Sequence, residues 1–171
     1  GLNINMNIAA TPDAQVNLIL DPSTNDKIVA RGTSENLNIN MQKGGDIKIS
    51  GQYYITEGKY DFNFQGVLNK PFVIESGSVI KFVGDPLKAE LDITGLYKVK
   101  SASVRNLFDS TVAIRNRTFP IDLNLIITGS LDKPEISFKI ASPDAQSDEL
   151  TRKLTDINSN PNEVNNQAGF L

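Results

Sequence analysis

The stretch Ile47-Lys48-Ile49-Ser50-Gly51-Gln52-Tyr53-Tyr54-Ile55 alternates between apolar and polar side chains, interrupted on the apolar side only by Gly51. A period of two residues predicts a strand with one face in a core and the other in water. The same alternation runs through most of the chain, from residues 2–8 to residues 136–140. We therefore predict about ten consecutive short strands and an all-β fold.

Short turn sequences separate these predicted strands. They fall at residues 21–26 (DPSTND), Gly44-Gly45, Glu57-Gly58 and Gly77. Connections this short favour antiparallel pairing of strands that follow one another in the chain. With strands about 4.8 Å apart, ten of them span roughly 50 Å, and the twist of so wide a sheet curls it into a roll, barrel or sandwich.

One segment near the end has helical spacing instead. Residues 147–158 carry Leu150, Leu154 and Ile157 on one side, and Ser147 is suited to cap the first turn. We predict one short amphipathic helix there, packed over an open end of the sheet. Residues 169–171 (GFL) are interpreted as the start of another strand, and residues 1–171 as a single β domain cut from a longer protein.

The composition argues against several classes of function. The chain has no cysteine and no histidine, so it lacks thiolate metal ligands and the side chain best suited to proton transfer near neutral pH. Its net charge of -3 gives no basic field for nucleic acid. We expect no enzymatic activity, no metal, no cofactor and no nucleic-acid partner, and residues 21–26 are interpreted as a solvated turn rather than a calcium loop.

The stretch from residue 96 to residue 118 is rich in basic side chains. Two interpretations stay open: a charged, solvated loop, or a basic rim that contacts lipid phosphates. The candidates for head-group contacts are Lys98, Lys100, Arg105, Arg115 and Arg117.

The apolar face of the predicted sheet raises the main functional question. Most alternating sheets bury this face under a second layer, but here only one short helix is predicted as cover. The sheet therefore either closes on itself as a sandwich or barrel, or leaves an apolar groove. From composition alone the closed core is favoured, since soluble monomers seldom expose large apolar patches.

Several motifs, in a specific order and spacing, resemble a known family. They are residues 45–53 (GDIKISGQY), 55–62 (ITEGKYDF), 77–86 (GSVIKFVGDP) and 127–138 (ITGSLDKPEISF). Together they resemble the C-terminal region of the TamB family, which is one of the AsmA-like, bridge-type lipid transfer proteins of the bacterial envelope. The resemblance runs along essentially the whole chain.

This resemblance implies a β-taco, an open β-roll made of a curled antiparallel sheet whose concave face is an apolar groove. It also implies a periplasmic location in a protein anchored in the inner membrane, with TamA or a related outer-membrane barrel protein as partner. Two mechanisms follow as hypotheses. The groove could hold phospholipid acyl chains on their way from the inner to the outer membrane, or an edge strand could serve as a scaffold for the assembly and translocation of outer-membrane β-barrel proteins.

A third interpretation, a structural module of a surface adhesin, would require a closed core. For the groove, we expect the lining to consist of the inward-facing apolar side chains. These are Ile47, Ile49, Tyr60, Phe62, Phe64, Phe72, Ile74, Ile80, Phe82, Leu91, Ile93, Leu123, Leu125, Ile127, Ile136 and Phe138.

Overall fold

The computed structural model describes residues 2–64, 68–103, 118–143 and 148–171. Within these residues the chain forms nine strands and two helices, with a single 3-10 turn at Pro86–Lys88. The strands are β1 (Ile4–Ala10), β2 (Gln15–Asp21), β3 (Asp26–Met41), β4 (Ile47–Phe64), β5 (Leu68–Ile74), β6 (Val79–Gly84), β7 (Glu90–Ser103), β8 (Thr118–Ser130) and β9 (Lys133–Ala141). The helices are α1 (Asp148–Asn158) and α2 (Pro161–Phe170).

All nine strands belong to one antiparallel sheet. Its main path runs β1-β3-β4-β5-β7-β8-β9, while β2 continues the line of β1 along β3 and β6 lies beside β4 and β7. The sheet is curled and does not close into a barrel. The predicted fold class, a curled all-β sheet of the β-taco type, is therefore confirmed.

The predicted turns are correct at three of four places. β2 ends at Asp21 and β3 begins at Asp26, with Asn25 in the left-handed region at φ 58°. Gly44 and Gly45 both have positive φ between β3 and β4, and so does Gly77 between β5 and β6. The fourth prediction is wrong, because β4 continues straight through Glu57-Gly58.

The physical reason for the unbroken β4 is its pairing with β3 and β5. Gly58 lies opposite both Ala30 and Ile74, and a Cβ on Gly58 would come within 3.2 Å of the Cβ of each. Glycine here permits close packing within a strand and does not turn the chain. β3 and β4 thus each join two predicted short strands, and the described residues form nine strands where about ten were predicted.

The curl brings the apolar side of the sheet onto itself. The core comprises inward-facing residues of β2 to β9, such as Ile28, Tyr60, Phe72 and Leu123, none of which is exposed to solvent, together with buried residues of both helices. Ser78, a buried polar residue, donates from Oγ to the carbonyl of Glu75 and accepts from the amide of Thr94.

Two helices, rather than the one predicted, follow the last strand. α1 lies where the spacing predicts a helix, and Leu150, Leu154 and Ile157 are buried; the predicted cap Ser147 lies outside the described residues. The strand expected at residues 169–171 is wrong, since this segment ends α2. Asn160 caps α2 by accepting from the amides of Asn162 and Glu163, and Pro161 occupies its first turn.

Candidate functional site

The predicted lining residues lie on one face of the sheet. Cross-strand partners in an antiparallel pair share a face, and the register pairs several predicted lining residues with each other, and Ile49 with the apolar Ile39. These pairs are Ile49 with Ile39, Tyr60 with Phe72, Ile80 with Leu91, Ile93 with Ile127, and Leu125 with Phe138.

Most of these side chains are packed against each other. Nine are at most 5% exposed: Tyr60, Phe72, Ile74, Ile80, Leu91, Ile93, Leu123, Leu125 and Ile127. Across the curl, the ring of Phe138 on β9 meets those of Phe62 and Phe72, with centroids 5.3 and 5.8 Å apart. We call this part the closed core, because its described side chains are buried against one another.

The other end of the same face is open. Ile47 is 44% exposed, and Ile4, Met6 and Ile8 on β1 are 38–43% exposed. The register places Met41 between Ile4 and Ile47, and Ile39 between Met6 and Ile49. We call these residues the open face: Ile4, Met6, Ile8, Leu37, Ile39, Met41, Ile47 and Ile49.

Sequence reasoning named only Ile47 and Ile49 of the open face. The alternation of β1 and of the end of β3 was visible in the sequence, yet it does not tell which inward-facing residues another layer covers. The remaining lining candidates Phe62, Phe82, Ile136 and Phe138 are half-buried at the margin of the closed core. The side chain of Phe64 lies outside the described residues.

A glycine marks the boundary between the open face and the closed core. Gly51 faces Phe82 across the β4-β6 pair, and it has φ +128°. A Cβ on Gly51 would lie 2.6 Å from the carbonyl oxygen of Asn36 and 3.2 Å from a methyl of Leu37. The absent side chain therefore lets β3 and its Leu37 approach β4 at the point where the apolar face emerges from the core.

The concave face also carries one cation that sequence reasoning missed. Lys70 on β5 is 6% exposed, its partner across β4 is Phe62, and its Nζ lies 5.3 Å from the centre of the Tyr97 ring. Burial lowers the pKa of the Lys70 amine, and the Tyr97 ring favours its charged form. The sequence signal was Lys70 in phase with Phe72 and Ile74.

Of the predicted head-group contacts, the two that the structure describes do not lie at the open face. Lys98 and Lys100 are exposed on β7, and Lys98 lies directly opposite Asp122 of β8 on the polar side of the sheet. Arg105, Arg115 and Arg117 lie outside the described residues. In the described part of the chain, no group of acidic side chains has the arrangement of a metal site.

The order and spacing of the motifs, set on this curled sheet, agree with a family comparison. The model of the TamB C-terminal domain matches residues 1–168. The chain belongs to the TamB family. No curated protein and no solved structure matches it significantly.

Membership in the TamB family connects the chain with the Gram-negative envelope and with outer-membrane biogenesis, in which TamB proteins interact with TamA-type outer-membrane partners. Among the described residues, neither helix has the length and apolar character needed to cross a bilayer.

Proposed function

We propose that this chain is a non-catalytic, periplasmic part of a conduit that holds phospholipid acyl chains during transport from the inner to the outer membrane. The full protein would be anchored in the inner membrane. One observation carries the proposal: an apolar face that no described residue covers, and that continues directly into a buried core of the same sheet. The site for the acyl chain is the open face, and the closed core is where the groove ends.

The size of the open face supports this role. Ile4, Met6, Ile8 and Ile47 each leave about two fifths of their surface in water. Together they expose roughly 280 Å² of apolar surface, and covering it contributes roughly 7 kcal/mol at 25 cal/mol per Å² before the cost of ordering the lipid. This area approaches that of the largest apolar patch on a typical monomer, about 300–600 Å², which is often functional.

The chemistry of the open face suits the movement of a lipid along it more than tight binding of that lipid. All eight of its side chains are apolar, while the opposite face of β1 and β3 carries an asparagine cluster in which Asn38 donates to Asn5 and Asn7. An acyl chain leaves hydrocarbon in the bilayer and enters hydrocarbon here, so the net free energy of transfer is close to zero. A phospholipid can then move along such a face without being trapped.

The test is a charge placed in the middle of the open face. Met6→Arg puts a guanidinium beside Ile39, where an acyl chain would have to desolvate it. We expect native mass spectrometry of the purified protein to show co-purified phospholipid in the wild type and at least tenfold lower occupancy in Met6→Arg. Because Met6 is 40% exposed, the folded structure should be retained, which circular dichroism checks.

The matched control is Ser50→Arg, which adds the same charge at an exposed position on the polar face of β4. It should leave phospholipid occupancy unchanged. A photoreactive residue at Ile47 should crosslink to lipid in cells, while one at Lys48, on the other face, should not. Equal occupancy in the wild type and Met6→Arg would contradict the proposal.

A second candidate function, pairing of an edge strand with outer-membrane barrel strands, is favoured by one observation. β1 is an edge strand, exposed along nearly its whole length, and β3 is its neighbour in the sheet. Asn5→Pro and Met6→Pro are two separate variants, and each removes one backbone N–H from β1. Neighbouring N–H groups point to opposite sides of a strand, so one of the two variants loses the N–H that points away from β3. Loss of barrel assembly in the variant that loses this outward N–H, with lipid occupancy retained, would favour strand pairing over lipid transport.

A further inference from the structure

The last strand of the sheet is held at its edge by a side chain. β9 pairs with β8 and ends the sheet within the described residues. The amide N–H of Ile140 donates to Oδ1 of Asn158 at 2.9 Å, and Nδ2 of Asn158 donates to the carbonyl oxygen of Ile140 at 2.8 Å. These are the two hydrogen bonds that a residue of a neighbouring antiparallel strand would make.

The helical hairpin lies where such a strand would run. Both α1 and α2 contact β9, and between them and the strand is a cleft of about 570 Å³. Its walls include Ile136, Phe138, Asn158 and Val164. Since backbone polar groups alternate in direction along a strand, those of Ile136 point to the same edge as those of Ile140.

The exposed side of β9 has the charge pattern of a strand that can pair with itself. Glu135, Ser137 and Lys139 are exposed and alternate with the inward-facing residues. If two copies of β9 pair antiparallel with Ser137 at the two-fold axis, Glu135 of each copy lies opposite Lys139 of the other. The same register brings Ile136 of each copy into a hydrogen-bonded position, as the direction of its backbone groups requires.

We infer that the β9 edge is a pairing surface for a second copy of this chain, and that Asn158 keeps it closed by acting as a substitute strand residue. An edge strand with unpaired backbone groups is a template for association unless something covers it. In this register Ile140 lies opposite Pro134 of the other copy, so the Ile140 N–H can donate to the Pro134 carbonyl but the Ile140 carbonyl meets no N–H, and the pairs between Ile136 and Phe138 carry the association. The Asn158 contact occupies the outer side of Ile140 and so keeps a second β9 from aligning along this edge. This inference does not depend on lipid binding.

The test removes the side-chain amide of Asn158 and measures how fast two copies of the chain crosslink at the two-fold axis. Asn158→Leu keeps the branched shape at Cγ and loses both hydrogen bonds to Ile140. The chain has no cysteine, so Ser137→Cys introduces a unique thiol at the position where two copies would meet. Under mild oxidation, we expect Ser137→Cys to form a disulfide-linked dimer at least tenfold faster with Asn158→Leu than without it.

Charge exchange separates this register from unspecific association. With Asn158→Leu, adding Glu135→Lys should slow crosslinking several-fold, because it places like charges opposite each other. Adding Lys139→Glu to that variant should restore the rate. Asn165→Leu, which changes another asparagine of the same cleft, is the control and should leave the rate at the wild-type value.

Should Asn158→Leu lose its helical signal, Asn158→Asp serves in its place, because a carboxylate repels the Ile140 carbonyl while its volume matches that of asparagine. It should raise the crosslinking rate in the same direction. A folded Asn158 variant with an unchanged rate, or crosslinking that does not respond to the charge exchange, would overturn the inference.

Discussion

The Phe138 ring, which joins the two walls of the curled sheet, makes the division into closed core and open face testable. It projects from β9 against Phe62 of β4 and Phe72 of β5, which are distant from β9 along the path of the sheet. Phe138→Ala removes both ring contacts and leaves a cavity between the walls. We therefore expect the closed core to loosen at this point.

The expected loss of stability in Phe138→Ala follows from the burial of the Phe138 ring and from its two ring contacts. A fully buried phenylalanine costs about 3–5 kcal/mol when it is replaced by alanine, and each aromatic pair accounts for roughly 1 kcal/mol of this. Because Phe138 is only half-buried, we expect a loss of about 2–3 kcal/mol in the free energy of unfolding. With a urea m-value of about 2 kcal/mol per M, the midpoint falls by roughly 1 to 1.5 M.

Urea denaturation followed by circular dichroism measures this midpoint. Val73→Ala is the control, since Val73 is 64% exposed on the outer face of β5 and should change the midpoint very little. A loss below about 0.5 kcal/mol, which is typical of surface substitutions, would refute the view that these rings hold the walls together.

Two further predictions concern the interior of the sheet. Gly32→Ala should cost about 2–3 kcal/mol or more in a urea titration, because its Cβ would lie 2.2 Å from the carbonyl oxygen of Tyr54 and 2.7 Å from the Tyr53 ring. Gly169→Ala, in helix α2 with open space around it, should be neutral or stabilising, and an equal loss in both would contradict the steric argument. Lys70→Met should raise the free energy of unfolding at pH 7 by up to roughly 1 kcal/mol, since it removes the cost of burying a charge. Burial puts the folded-state pKa of Lys70 below its unfolded value of 10.5, so the unfolded chain binds more protons between those two pKa values and wild-type stability rises with pH in that window. The gain from Lys70→Met should therefore shrink in urea titrations as the pH rises towards 10.5, and a gain that stays constant would argue against a buried charge.

The helical region shows where local sequence signals suffice and where they fail. Leu150, Leu154 and Ile157 have helical spacing, and they are buried on one side of α1 as predicted. α2 was missed because residues 169–171 resemble the start of a strand, although Asn160-Pro161 is a good signal for a helix start. A three-residue apolar run does not distinguish a strand from a helix end.

The all-β character, the inward and outward sides of the strands and the family could all be predicted from the sequence, because each depends on residues close together in the chain or on the order of motifs. Which inward-facing residues are covered depends on contacts that only the folded chain makes. Phe72 and Met6 follow the same alternation, yet Phe72 is fully buried and Met6 is 40% exposed. The difference arises because the curl brings β4 and β5 against β9 while nothing in the described structure lies over β1, and contacts between strands so far apart in the chain leave no periodic signal in either segment.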